Sequence, residues 1–143
     1  QIQATIRERG AAGGFAFKPD GRGRIVSTFN AHRLLHWAAL VGADKQLALK
    51  RALLEAYHGR AERVDHDDVL LAAVRQVGLD IERARQILGS DEFADAVRAA
   101  ERRWQMAGIQ SVPAVVINER HLISGGQPPE VFEQALRQIA AAQ

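Results

Sequence analysis

Cysteine is absent from all 143 residues. A disulfide framework, a thiolate-ligated zinc or iron–sulfur site and a thiol nucleophile all need a sulfur that these residues do not supply. A dominant charge of one sign is missing too: 19 Lys and Arg stand against 17 Asp and Glu, a net +2. Nucleic-acid binders concentrate positive charge far more heavily, so no nucleic-acid partner is expected. Nor is there an uninterrupted apolar run near the ~20 residues needed to span a bilayer. The opening Gln1-Ile2-Gln3 shows no basic region followed by an apolar core. No membrane partner is expected, and the setting is read as cytoplasmic. A start without Met is expected of a chain that was processed, cut, or lies within a longer protein. What is present, 47% hydrophobic and 25% charged residues, suits a folded domain with a sizeable core.

Glycines punctuate the sequence at helix-length intervals. Gly42, Gly59, Gly78, Gly89 and Gly108 each follow a stretch of helical periodicity. Start signals precede the same stretches: Thr28 or Asn30 for residues 31–41, and Asp44 for 45–58. Asp65, with Asp67 and Asp68 in the first turn, opens the next helix. Asp80 serves 81–88, and Ser90, Asp91 and Glu92 serve 93–107. The apolar faces expected are Leu34, Leu35, Ala38 and Val41; then Leu47, Ala48, Leu54 and Tyr57; then Leu70, Ala73, Val74 and Val77. Trp37, Tyr57 and Trp104 are read as core, and Arg98, Arg102 and Arg103 as a solvated face. Residues 1–9 form the tail of a further helix stopping near Gly10. A glycine- and arginine-rich connection follows, with Phe15 and Phe17 and a turn at Lys18-Pro19-Asp20-Gly21.

After Gly108 the pattern changes. The β-branched run from Val112 to Ile117, the turn Asn118-Glu119-Arg120 and the run His121 to Ser124 read as an antiparallel hairpin. Gly125-Gly126-Gln127-Pro128-Pro129 breaks the strand and starts a last helix over 130–142, with Pro129 in the tolerated first turn. The glycine pair lacks the strand and spacing of a dinucleotide loop. A lone hairpin is marginal in water, yet residues 114–117 are apolar on both faces, as in a strand of a larger covered sheet. The remaining strands of that sheet are not in this sequence.

Two segments carry a family resemblance. Gly108-Ile109-Gln110-Ser111-Val112-Pro113-Ala114-Val115-Val116-Ile117, with Ile123-Ser124-Gly125-Gly126-Gln127-Pro128-Pro129-Glu130-Val131-Phe132, resembles the closing section of DsbA-like proteins of the FrnE type. Ser27-Thr28-Phe29-Asn30-Ala31-His32-Arg33-Leu34-Leu35-His36-Trp37-Ala38 resembles the start of that family's helical insertion. The resemblance runs from about Ile2 to Ala140. It implies a mainly α chain from an α/β parent: a helical insertion domain over 1–107, and over 108–143 the C-terminal hairpin and helix of a thioredoxin fold, with the first β-α-β unit missing. It further implies a fragment of a thiol–disulfide oxidoreductase or disulfide isomerase whose Cys-x-x-Cys half is absent, so that no catalytic residue lies in this chain and its own activity is not expected. Ser111, Val112 and Pro113 would form the cis-proline loop against which substrate, a protein or a small thiol, is held. Asn30 and His32 would face the crevice between domains, although an N-cap and a surface histidine account for them equally well.

Two other functions stay open. A related glutathione-dependent 2-hydroxychromene-2-carboxylate isomerase shares the insertion, with a serine in place of the cysteines. A non-catalytic helical interaction module would use the open strand edge at 114–117, through which a homodimer is expected. No cofactor is implied. His32 and His36 stand four apart but lack a third ligand, so no metal is assigned.

Overall fold

The computed structural model of the protein describes residues 1–21 and 23–143. Arg22, part of the glycine- and arginine-rich connection, lies outside the described residues. The elements in order are α1 (Ile2–Ala12), α2 (Phe29–Val41), α3 (Ala43–Leu54), a π-helical turn (Glu55–Gly59), α4 (Asp67–Gln76), α5 (Ile81–Leu88), α6 (Ala94–Met106), β1 (Ala114–Ile117), β2 (His121–Ser124) and α7 (Pro129–Ala141). Two compact units divide the chain within α6, Gln1–Ala99 and Ala100–Gln143.

The first unit holds the core. Leu34, Leu35, Trp37 and Ala38 of α2 pack with Leu49, Ala52 and Leu53 of α3, Leu70, Ala73 and Val74 of α4, and Ala84 and Ile87 of α5. Leu34, Leu49, Leu70 and Ile87 are fully enclosed; removing such a side chain from water contributes about 1.5–3 kcal/mol each. The expected faces of α2 and α4 are largely the observed ones, although Val41 is exposed. On α3 the expected face holds only in part, with Tyr57, just past the helix end, packed against the core. Leu47 and Leu54 are exposed, and the core takes Leu49, Ala52, Leu53 and Ala56 instead. Leucines stand on two sides of this helix, so three- and four-residue spacing fits both. Packing against α2 and α4 selects the side where small Ala52 and Ala56 permit close approach.

Capping follows expectation at α5, where the Asp80 carboxylate accepts the Arg83 amide at 3.0 Å, but not at α2. Thr28 precedes that helix without capping it, and the Asn30 side chain is occupied by Arg33. Helix α1 runs through Gly10 to Ala12 rather than stopping there. Gly10 serves a close approach instead: a Cβ at this position would lie 2.4 Å from Cε2 of Phe17. The chain folds back over α1, with the Phe15 amide bonded to the Gly10 carbonyl at 2.8 Å. The expected turn follows, closed by the Gly21 amide on the Lys18 carbonyl at 3.0 Å.

The second unit has no buried residue. β1 and β2 pair antiparallel, Ala114 opposite Ser124 through Ile117 opposite His121. The turn between them places Asn118 and Glu119 at φ 53° and 57°, the handedness that suits the twist of a tight hairpin. Pro129 opens α7 at its first turn. Val115, Leu122, Val131 and Leu136 remain exposed, and Trp104, expected in the core, is 43% exposed with the Arg103 guanidinium over its ring.

Candidate functional site

Between α6 and β1 the chain takes no regular structure, and here it presents backbone. The Val112–Pro113 peptide bond is cis. Ser111 is exposed and Val112 is 88% exposed. Neither makes a backbone hydrogen bond among the described residues. Exposed N–H and C=O groups next to a strand are a template for an added strand. The segment is nonetheless anchored on one side. The Pro113 carbonyl accepts the Gly125 amide at 2.8 Å, one step beyond the Ala114–Ser124 pair. Gly125 reaches this position at φ 82°, where a side chain would be strained. The Gln127 amide then bonds to the Gly125 carbonyl at 2.9 Å, and its side-chain nitrogen to the Ser124 carbonyl at 3.1 Å. Gly125 and Gln127 thus fix the base of the Pro113 segment. In the sequence they read only as a strand break, and the glycine pair was the signal that something more demanding occurs there.

Asn30 and His32, the other predicted site residues, belong to the first turn of α2 in the first unit, whereas Ser111, Val112 and Pro113 are consecutive in the second. His32 is exposed. His36, one turn later, lies against the Phe93 ring, 5.1 Å between centroids. Asn30 Oδ1 accepts from Arg33 Nη1 at 3.0 Å, which makes it part of a structural staple that sequence patterning does not reveal.

Arg33 is 4% exposed. Its Nε donates to the Glu92 carbonyl at 2.9 Å, and its Nη2 to the carbonyls of Ile87 and Ser90. The guanidinium therefore sits at the C-terminal end of α5, where a positive charge complements the helix dipole, and it fixes the loop leading to α6. That loop includes Phe93 at φ 63°, a backbone region costly for a residue with a Cβ. Arg83 forms a forked pair with the Glu92 carboxylate. This hydrogen bonding, reinforced by the nearby Arg33 charge, holds the Glu92 carboxyl below the usual carboxylate range. These groups can brace a loop, but none is a nucleophile. The chemistry within reach of residues 111–113 is backbone pairing.

Comparison with known proteins bears on the family and the fold. The family model described as a DSBA-like thioredoxin domain matches residues 1–137. No curated protein sequence matches the chain. Among solved structures, a probable DsbA oxidoreductase from Streptomyces coelicolor superposes with a TM-score of 0.88 at 34% identity. The match covers 98% of this chain and 59% of that one, so the chain spans somewhat over half the length of the protein it resembles. No helix among the described residues is long and apolar enough to cross a membrane.

Proposed function

Because the chain belongs to the DSBA-like thioredoxin domain family, we propose that it is the helical insertion and closing hairpin-and-helix section of a FrnE-type thiol–disulfide oxidoreductase, and that its own part in the reaction is to hold substrate. The observation that carries this reading is the Pro113 segment: exposed backbone at Ser111 and Val112, anchored through Gly125, beside a hairpin whose edges are open.

In thiol–disulfide exchange a thiolate attacks one sulfur of a disulfide, a mixed disulfide forms, and the other sulfur leaves as thiolate. No atom of these 143 residues can attack, since none is a thiol. The redox pair belongs to the portion of the family fold that the chain does not span, a reading supported by its 59% coverage of the Streptomyces structure. The Val112 amide donates to, and the Ser111 and Val112 carbonyls accept from, an extended polypeptide substrate. This aligns that substrate without selecting its side chains. Asn30 acts through Arg33 as a positioning group of the insertion. The second unit's exposed Val115 and Leu122, on strands with unpaired edges, also favour a homodimer of this chain when nothing else covers them.

The test is direct. Incubated with reduced, unfolded ribonuclease under a glutathione buffer, the chain forms no disulfide above the buffer background. Catalysed oxidation would overturn the division of labour proposed here.

A further inference from the structure

The return of the chain from α1 toward α2 builds a cleft that the Pro113 segment does not use. Its volume is about 430 Å³ and it lies wholly within the first unit, between α1, residues 17–21 and the π-helical turn. Small-molecule sites commonly fall within about 300–1,000 Å³. One wall is apolar: Ile2 and Ile6, four apart on α1, are 78% and 48% exposed and face this space with Phe17. Phe17 is itself held in place. Phe15 packs edge-on against it at 4.8 Å, the His58 ring at 5.7 Å, and Gly10 leaves no room for it to retreat. The backbone is tied across the cleft base by the Lys18 amide on the His58 carbonyl, 2.9 Å.

The polar part of the lining has one sign. Arg7 and Lys18 line the cleft, Gln3 adds an amide, and no carboxylate is present among the lining residues. Both cations are partly buried, and neither side chain has an ion-pair or hydrogen-bond partner among the described residues. Arg83, the other partly buried arginine among the described residues, is by contrast paired with Glu92. Two partly desolvated cations beside a fixed aromatic wall are complementary to an anion that carries an apolar body.

We propose that this cleft binds a small amphipathic carboxylate, its apolar body on Ile6 and Phe17 and its carboxylate on Arg7 and Lys18. Acetate lacks the body and a neutral amide lacks the charge, so each uses only half of the lining.

The test is a titration of the ¹⁵N-labelled 143-residue chain with 3-phenylpropionate, followed by amide shifts, beside parallel titrations with 3-phenylpropionamide and acetate. Saturable shifts centred on Ile6, Phe17, Lys18 and His58 are expected, with the amide and acetate weaker by about tenfold or more. Lys18→Glu weakens 3-phenylpropionate by a similar factor. Arg7→Gln provides the same reading where Lys18→Glu perturbs the fold, and Arg137→Glu, on α7, leaves binding unchanged. Equal binding of the amide, insensitivity to both Lys18→Glu and Arg7→Gln, or no saturation by about 10 mM, far weaker than a specific site, would overturn the proposal.

Discussion

Truncating Arg33 to alanine should be among the most damaging single changes to the first unit. The guanidinium is 4% exposed and serves the carbonyls of Ile87, Ser90 and Glu92 together with Asn30 Oδ1. Hydrogen bonds to a charged group contribute about 1.5–3 kcal/mol apiece, and a buried acceptor left without a donor costs about 1–3 kcal/mol. The sum overstates the net effect, because removing the charge relieves its own desolvation and water re-enters the vacated space. A net loss of about 3–5 kcal/mol is therefore expected, against a total of about 5–15 kcal/mol for a domain. Arg33→Lys keeps the charge but not the fork, and should lose about 1–3 kcal/mol. Urea unfolding followed by far-UV circular dichroism and by the fluorescence of buried Trp37 measures both. Native-state hydrogen exchange adds the location, since protection should fall first over residues 89–94, where Phe93 is held at positive φ. A loss below about 1 kcal/mol for Arg33→Ala, or equal losses for alanine and lysine, would refute the reasoning.

Other expectations follow from single contacts. Gly10→Ala drives a Cβ to 2.4 Å from the Phe17 ring and should cost about 1–3 kcal/mol in urea unfolding, where a surface helix would gain from the same change. Leu49→Ala, at a fully buried position, should cost about 2–5 kcal/mol, whereas Leu47→Ala, at a 52% exposed one, should stay within about 1 kcal/mol. The Glu92 carboxyl titrates lower in the folded chain than unfolded because Arg83 bonds its charged form. Stability from that pair is accordingly complete above about pH 4.3 and is lost as pH falls through the lower folded value. Acid unfolding of Glu92→Gln should be shallower than that of the unaltered chain over this range, and parallel curves would remove the pair from the account.

The features legible in the sequence are those with a local cause. Asp80 caps α5 because a short acceptor three residues before an amide is a local geometry. The hairpin is visible because the β-branched run at 112–117 and the short run at 121–124 flank a polar turn. Features set by packing were not. Which leucines of α3 face inward depends on neighbours distant in the chain, and Leu47 and Leu49 are the same residue type. Gly10 looks like a helix end until Phe17, seven residues later, is found against it. Arg33 stands in sequence among apolar residues as an ordinary surface cation, and only its reach to Ile87 and Glu92, more than fifty residues away, makes it a staple. For the candidate site, Ser111 to Pro113 could be picked out from the order of residues around them. The support from Gly125 and Gln127 could not, because it depends on where the chain goes after β2.

The central claim is that the backbone before Pro113 docks an extended polypeptide. A titration of the ¹⁵N-labelled chain with a reduced, unfolded peptide tests it most directly, beside the same peptide carrying N-methylated amides that cannot pair as a strand. Saturable shifts at the Ser111 and Val112 amides and in β1, abolished by N-methylation, are the predicted result. Absence of shifts at those amides, or equal response to the two peptides, would contradict it.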